Sequence, residues 1–155
     1  MDIIALVNAI QALTAEDAFR CSLSAAQWQW LAAHMSRREV RAGEMLIHQG
    51  ETRRVAYFLE QGDLQVFVTG GPPASHRIAV LRPGAVVGEP ALFTQLPRMA
   101  NVEAMTPCVV WSLHGEQVNE LAAHDPHATL ELLRAAGAVM AVRMRINLMR
   151  GVPMA

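Results

Sequence analysis

Glycines divide the middle of the chain into short segments, and no other feature of the sequence constrains the fold as strongly. They stand at positions 43, 50, 62, 70, 71, 84 and 88. Short runs rich in Val, Ile, Leu and aromatic residues lie at 45–48, 55–59, 64–68, 77–81, 101–105 and 108–113. Short apolar runs separated by glycine turns are typical of β-strands. The pattern predicts a small β-sandwich or barrel, with the Gly-Gly-Pro-Pro segment at 70–73 as the tip of a hairpin.

The residues before this region predict helices. Apolar residues recur at helical spacing over 2–13, which indicates a short amphipathic helix. Ser24 with Gln27 three residues later has the form of a capping box, so a second helix is expected to begin there. Thr14 with Asp17 resembles a further capping pair, and we expect an additional helical turn after it.

The residues after the β region also predict helices, a short one over 116–123 and a long one over 127–149. The long segment has two apolar stripes. One has heptad spacing and contains Leu132, Ala135, Val139, Val142, Ile146 and Met149. The other contains Leu133, Met140 and Met144. Either one stripe packs on the β region while the other needs a partner, or both belong to a single broad core face.

Composition argues for a globular domain without a general nucleic-acid surface. Apolar residues make up 52% of the chain, the net charge is −1, and all 13 basic residues are arginine. A nucleic-acid-binding domain usually carries a basic patch on a basic chain. Arg37, Arg38 and Arg41 do cluster, but Glu39 and Glu44 dilute their charge, so we interpret them as a solvent-exposed corner. Direct DNA binding is not expected.

Neither metal binding nor catalysis is indicated by the reactive residues. Cys21 and Cys108 are far apart, which fits neither a disulfide framework nor a zinc site. The six histidines form no His-x-His pair, and no Ser, Cys and His arrangement suggests a nucleophile. The chain shows no secretory signal and no apolar run of membrane-spanning length. We therefore expect a cytoplasmic protein that is not an enzyme and does not contact a membrane.

The stretch 84–102 carries the clearest chemical signal in the chain. Gly84 and Gly88 precede Glu89 and Pro90, and Pro90 has the fixed φ that is favoured at the first position of a helix. The start of such a helical turn presents free N–H groups to an anion. Arg98 offers a planar set of donors to a phosphate, and Glu89 offers an acceptor to sugar hydroxyls. The stretch predicts a phosphate-and-sugar site, with a structural salt bridge on a loop as the alternative.

Three segments together resemble the cyclic nucleotide-binding domain family, which includes the sensor half of bacterial cAMP-responsive activators and kinase regulatory subunits. They are Leu-Ile-His-Gln-Gly-Glu at 46–51, Tyr-Phe-Leu-Glu-Gln-Gly-Asp at 57–63, and Gly-Glu-Pro-Ala-Leu-Phe at 88–93 followed by Pro-Arg at 97–98 and Ala100. The resemblance covers roughly residues 23–150. It implies a jelly-roll fold, a double-stranded β-helix with its ligand inside. The expected parts are N-terminal helices at 1–36, the β-roll at 37–114 and C-terminal helices at 115–155.

The resemblance also implies roles for particular residues. Arg98 is expected to bind the cyclic phosphate and Glu89 the ribose 2′-hydroxyl, while the backbone at Gly88, Ala91 and Met99 supplies further donors. On the long C-terminal helix, Arg143 and Asn147 are expected to face the base and sugar. The alternative for Asn147 is an exposed polar residue. The implied ligand is cAMP, with cGMP as a second possibility, and no metal is implied.

Three departures from the family pattern bear on function. Pro90 replaces an aliphatic residue, but at the first helical position it removes no needed donor. Met99 replaces a small or hydroxyl residue and is expected to add bulk beside the phosphate, which weakens binding or changes the preferred nucleotide. The sequence ends at Ala155, where the activators continue into a DNA-binding helix-turn-helix.

Two functions are compatible with these observations. The first is a stand-alone cyclic-nucleotide sensor that forms a homodimer through its C-terminal helix and signals through that helix to an unknown downstream protein. The second is a degenerate member of the family that acts as a ligand-independent dimerisation or adaptor module. Met99 and the end of the sequence at Ala155 motivate the second.

Overall fold

In the computed structural model, which describes residues 2–70 and 75–151, eight strands form two antiparallel sheets. The sheets have the orders β1-β8-β3-β6 and β2-β7-β4-β5. The strands are β1 Ser36–Val40, β2 Met45–Ile47, β3 Val55–Gln61, β4 Leu64–Thr69, β5 Ser75–Leu81, β6 Val86–Val87, β7 Asn101–Ala104 and β8 Cys108–His114. The prediction of a mainly β domain with flanking helices is confirmed. The hairpin tip predicted at 70–73 lies largely outside the described residues.

Two strands, β1 and β6, were not predicted from the sequence, although the expected solvent exposure of Arg37, Arg38 and Arg41 is confirmed. Arg37 and Arg38 lie in β1, which pairs along its whole length with β8. Every β1 residue except Val40 is exposed, so this edge strand has no apolar alternation by which it could be recognised. Strand β6 is only two residues long and pairs with β3. Its two valines are too few to show a period.

The helices lie at both ends of the chain. They are α1 Ile4–Ala12, α2 Ala25–Ala32, α3 Val118–His124 and α4 Pro126–Arg150. The capping box of α2 is confirmed, since Gln27 N–H donates to Ser24 Oγ at 3.1 Å and Ser24 N–H donates to Gln27 Oε1 at 2.9 Å. A single turn forms after Thr14, in which Ala18 N–H donates to Ala15 O at 3.0 Å, but it does not continue into a helix. The Asp17 side chain instead contacts α4, 126 residues away in the sequence.

Strand β3 separates two apolar clusters because its side chains alternate between the two faces of its sheet. Ala56 and Phe58 face a cluster shared with the helices, in which Trp111 and Leu132 are fully buried. Val55, Tyr57 and Leu59 face the interior between the sheets and pack with residues of both sheets, including Leu64, Val66, Val102 and Val110. The helices therefore cover one face of the roll, and the other face encloses its interior.

Helix α4 packs against the domain on one face and is exposed on another. Leu132 and Val139 of the heptad stripe are buried, whereas Met144 of the second stripe is 47% exposed. Leu148 extends this outer face and is 73% exposed. The second stripe is divided, because Leu133 packs against the cluster shared with the helices while Met144 is exposed, so only the C-terminal part of this face is left uncovered by the described residues. None of the helices in the described part of the chain has the length and apolar character needed to cross a membrane.

Candidate ligand-binding site

The backbone at Gly88 begins the site and has a conformation that strongly favours glycine. Gly88 follows β6 and has a φ of +74°. A 3₁₀ turn over Glu89–Leu92 comes directly after it, and Pro90 lies in the first two positions of that turn. The short helical turn predicted after Gly88 is therefore confirmed. A Cβ at Gly88 would lie 2.9 Å from both Ile47 Cδ1 and the Val55 carbonyl oxygen. Positive φ and close packing together make a side chain at this position unfavourable.

Arg98 is held under this turn by backbone carbonyls. Its Nη1 donates to Gly88 O at 3.0 Å, and its Nη2 donates to Val55 O. The Nε atom is buried and has no partner among the described residues, and no carboxylate in that part of the chain forms an ion pair with the guanidinium. Burial lowers the pKa of Arg98. A half-buried cation with neutral partners and a free buried donor is suited to receive an anion.

Glu89 lies at the centre of the site and is 1% exposed. Its Oε2 accepts a hydrogen bond from Arg143 Nη1 at 3.0 Å, and its Oε1 is buried with no partner among the described residues. Burial raises the pKa of the Glu89 carboxyl, and the charge of Arg143 opposes this effect. The carboxylate thus keeps one acceptor oxygen for a ligand while the other is bound to α4.

Arg143 connects this carboxylate to the N-terminal segment. Its Nε donates to Asp17 Oδ2 at 2.8 Å, and its Nη2 is buried without a partner among the described residues. Burial acts to lower the pKa of Arg143, but the charges of Glu89 and Asp17 outweigh that effect and raise the pKa. Sequence reasoning missed Asp17. Its spacing from Thr14 suggested a cap, and nothing in the sequence pointed to a contact with α4.

Two of the predicted site residues, Ala91 and Met99, have surroundings that bear on ligand binding. Ala91 N–H donates to Gly88 O at 3.1 Å within the 3₁₀ turn, so a ligand would have to share or replace that bond. The Met99 side chain is 56% exposed. It lines an outer apolar groove of about 310 Å³ together with Leu96 and Met140. The bulk of the Met99 side chain therefore lies in this outer groove, which Arg98 also lines.

The residues of α4 line a separate cavity of about 200 Å³ between the helix and the roll. Arg143 and Asn147 share this cavity with Asp17, and Ile78 and Val87 form part of its apolar wall. Asn147 is 7% exposed, so it is not the exposed polar residue of the alternative interpretation. The structure thus brings Arg143 and Asn147 together and places Arg98 in a different opening. The charges of Arg143 and Arg98 both act to lower the pKa of Glu89, so both arginines interact with this carboxyl.

The charged and polar groups of the site indicate the kind of ligand it can hold. Among residues 2–70 and 75–151, no group of three His, Cys, Asp or Glu side chains could hold a metal ion. The buried polar atoms of the site that lack a partner among the described residues are two arginine donors and one carboxylate acceptor. Such a set matches an organic anion with hydroxyl groups.

The antiparallel roll, the 3₁₀ turn after Gly88 and the covering helix define a ligand-binding module, and sequence comparison identifies its family. The family model described as the cyclic nucleotide-binding domain matches residues 37–125, more than half of the chain. The chain therefore belongs to the cyclic nucleotide-binding domain family.

Similar proteins include regulators of two kinds. A cAMP-dependent protein kinase regulatory subunit from Blastocladiella emersonii is 35% identical over 79 residues, which are 51% of this chain and 20% of that protein. The cAMP-activated global transcriptional regulator CRP of Escherichia coli O6:H1 is 26% identical over 120 residues, 77% of this chain and 55% of the regulator. The chain thus spans about half or less of the length of these relatives.

A solved structure supports the fold over almost the whole chain. The crystal structure of a cyclic nucleotide-binding domain from Methylobacillus flagellatus KT superposes with a TM-score of 0.82 and covers 96% of this chain and 81% of its own. Its sequence identity is 18%, so the similarity concerns the fold.

Proposed function

We propose that this domain is a sensor that binds a cyclic nucleotide and signals through α4. Three buried polar atoms carry the proposal, namely Arg98 Nε, Glu89 Oε1 and Arg143 Nη2, because none has a partner among the described residues. An unpaired buried polar atom costs about 1–3 kcal/mol, so such atoms are rare and call for an explanation. Two donors and one acceptor suit a ligand with an anionic group and a hydroxyl.

A cyclic nucleotide can satisfy all three atoms. The cyclic phosphate lies against Arg98, and the ribose 2′-hydroxyl donates to Glu89 Oε1. The base lies toward Arg143 and Asn147, where Ile78 and Val87 supply an apolar wall. Backbone N–H groups at Gly88, Ala91 and Met99 remain the expected additional donors to the phosphate. The names of the relatives, both of which refer to cAMP, favour cAMP over cGMP.

Signalling through α4 follows from the size of the cavity under it. Small-molecule pockets usually enclose about 300–1,000 Å³, whereas this cavity encloses about 200 Å³. A nucleotide that reaches from Arg98 to Asn147 therefore requires α4 to move or to rotate relative to the roll. The ligand can shift the helix only by its different affinity for the two arrangements, and this difference is the signal passed to another protein.

Calorimetry tests the binding directly. The wild-type protein is titrated with cAMP, cGMP and a cyclic dinucleotide, beside Arg98→Ala and the exposed control Arg145→Ala. Loss of one partner of a buried charged contact costs about 2–5 kcal/mol, so Arg98→Ala is expected to weaken binding by well over tenfold. Arg145→Ala is expected to bind like wild type. Absence of heat for wild type with every nucleotide at high concentration would contradict the proposal.

A second function, homodimerisation, is favoured by the outer face of α4. Met144 and Leu148 are exposed there, and Leu96 and Met99, which follow the 3₁₀ turn, are also exposed. We propose that a second copy of the domain covers this face through its own α4. Light scattering is expected to report a dimer for wild type and for the control Ala122→Gln in α3, and a monomer for Met144→Gln with Leu148→Gln. A monomeric wild type would contradict this proposal.

The same samples distinguish the sensor from the adaptor. A dimer whose melting temperature is unchanged by every cyclic nucleotide would favour the ligand-independent module. A regulatory rather than catalytic role belongs to the proposal, because the polar atoms of the site match a bound anion. The stand-alone character, the cytoplasmic location and the absence of direct DNA binding stay predictions.

A further inference from the structure

The segment between α1 and α2 reaches the candidate site through Asp17. The Asp17 side chain is 26% exposed, and that of Arg143 is 11% exposed, so their ion pair at 2.8 Å is largely shielded from solvent. Asp17 also lines the cavity that contains Asn147 and Ile78. Both Asp17 and Arg143 lie outside the residues matched by the family model. The contact is therefore formed by the flanking segments of this chain.

Two carboxylates fix the orientation of the Arg143 guanidinium. Asp17 accepts from Nε and Glu89 accepts from Nη1, at 2.8 and 3.0 Å. A guanidinium is planar and its donors have fixed directions, so two bonds determine where the third nitrogen points. That nitrogen, Nη2, is buried and has no partner among the described residues. Asp17 thus helps to decide the direction of a free donor in the site.

Asp17 is held by a well-packed support. Phe19, two residues away, is fully buried and packs edge-on against Phe58 with ring centroids 5.3 Å apart. Arg20 donates to Ile10 O at 3.0 Å, which ties the segment to α1. Helix α1 in turn lies close to Gly84, where an added Cβ would be 2.3 Å from Ala9 O. The N-terminal segment and the site therefore form one packed unit.

We propose that Asp17 is a positioning residue of the nucleotide site, which holds Arg143 so that its Nη2 donates to the bound nucleotide. The N-terminal segment then contributes to nucleotide affinity although it does not belong to the matched domain. This inference rests on the proposed function. It predicts that the effect of Asp17 acts entirely through Arg143.

Simple electrostatics predicts the opposite sign for the same substitution. Removal of a negative charge near the site makes it more attractive to an anionic nucleotide. A positioning role instead makes the neutral variant bind more weakly. The sign of the change in affinity therefore separates the two effects.

The experiment is calorimetric titration of cAMP into wild type, Asp17→Asn, Arg143→Gln and the double variant, with Glu16→Gln as a control. Glu16→Gln removes the same charge from an exposed neighbouring residue. Asp17→Asn is expected to weaken binding by about three- to tenfold, which lies in the lower part of the range of coupling between contacting residues. In the Arg143→Gln background the same change is expected to have no further effect, and Glu16→Gln is expected to bind like wild type.

Several results would overturn the inference while leaving the proposed function intact. They are an unchanged or tighter affinity in Asp17→Asn, or an equal loss in the Arg143→Gln background. If Arg143→Gln does not fold, Asp17→Glu replaces it, and this variant is expected to recover most of the lost affinity because it restores the carboxylate. Failure to recover would then count against the inference. A wild type that binds no nucleotide would overturn both the proposed function and this inference.

Discussion

The two arginines of the candidate site are held by different kinds of partner. At the end of the site where we propose that the phosphate binds, which we call the phosphate end, Arg98 donates to the backbone carbonyls of Gly88 and Val55. At the α4 end, Arg143 pairs with the carboxylates of Asp17 and Glu89. The charge of Arg98 is therefore left for an anion to neutralise, whereas the charge of Arg143 is already neutralised by the protein. The positive charge at the phosphate end is therefore available to an anionic ligand, whereas the positive charge at the α4 end already pairs with carboxylates of the protein.

The largest expected effect concerns stability and compares the two arginines directly. Arg143→Met leaves the buried Glu89 carboxylate without its cation, and loss of one partner of a buried pair costs about 3–5 kcal/mol. Arg98→Met removes a donor from the carbonyls of Gly88 and Val55, but Gly88 O keeps its bond from Ala91 N–H, so the expected cost is about 1–3 kcal/mol. Urea unfolding of the ligand-free proteins is expected to show the larger loss for Arg143→Met.

Equal losses would show that the two ends do not differ in the way their contacts indicate. Arg145→Met serves as the control because Arg145 is an exposed arginine on the same helix. It is expected to leave the free energy of unfolding almost unchanged.

The same difference explains which parts of the site the sequence could predict. Gly88, Glu89, Pro90 and Arg98 lie within eleven consecutive positions, so their types and spacing were enough to indicate a phosphate-and-sugar site. The contact between Asp17 and Arg143 spans 126 positions, and its two residues come together only because α1, α2 and α4 pack on the same roll. A local pattern carries no information about such a contact.

The fold shows a similar division. Six strands were predicted because their apolar residues alternate or cluster between glycine turns. Strand β1 was missed because its exposed arginines follow no apolar period, although its hydrogen bonds to β8 are regular. The long helix was predicted from its heptads, but the sequence left open which of its stripes is buried. Pairing partners and packing faces, rather than the presence of elements, were the part that required the structure.

The next largest effect tests the packing of the phosphate end. Gly88→Ala is expected to destabilise the fold by about 1–3 kcal/mol, because alanine at positive φ is strained and its Cβ contacts Ile47 and Val55 at 2.9 Å. Gly43 also has a positive φ, but no atom lies within 4 Å of its added Cβ. Gly43→Ala is therefore the matched control that carries backbone strain without crowding.

Urea unfolding of the two glycine variants separates the two causes. A clearly larger loss for Gly88→Ala than for Gly43→Ala is expected, and the excess measures the crowding around Arg98. If the two losses are equal, close packing does not contribute to the destabilisation by Gly88→Ala. The packing around Gly88 would then be looser than its distances indicate.

The smallest effect is a pH dependence that arises from Glu89 at the α4 end. Burial raises the pKa of this carboxyl above its ordinary value of 4.5, with Arg143 acting in the opposite direction. Above pH 4.5 the unfolded chain has lost this proton while the folded protein still binds it, so the folded state binds more protons. Its contribution to stability is therefore present below pH 4.5 and is lost as the pH rises through the folded pKa, by at most about 1.4 kcal/mol per pH unit.

Nucleotide affinity is expected to change in the opposite direction, because the ionised carboxylate is the stronger acceptor for the ribose hydroxyl. Unfolding and cAMP titrations of wild type and Glu89→Gln across this pH range provide the measurement, with the difference between the two proteins assigned to Glu89. If stability and affinity change with pH in the same direction, Glu89 does not bind the nucleotide in its ionised form. Neither end of the site would then present a charged acceptor to the ligand.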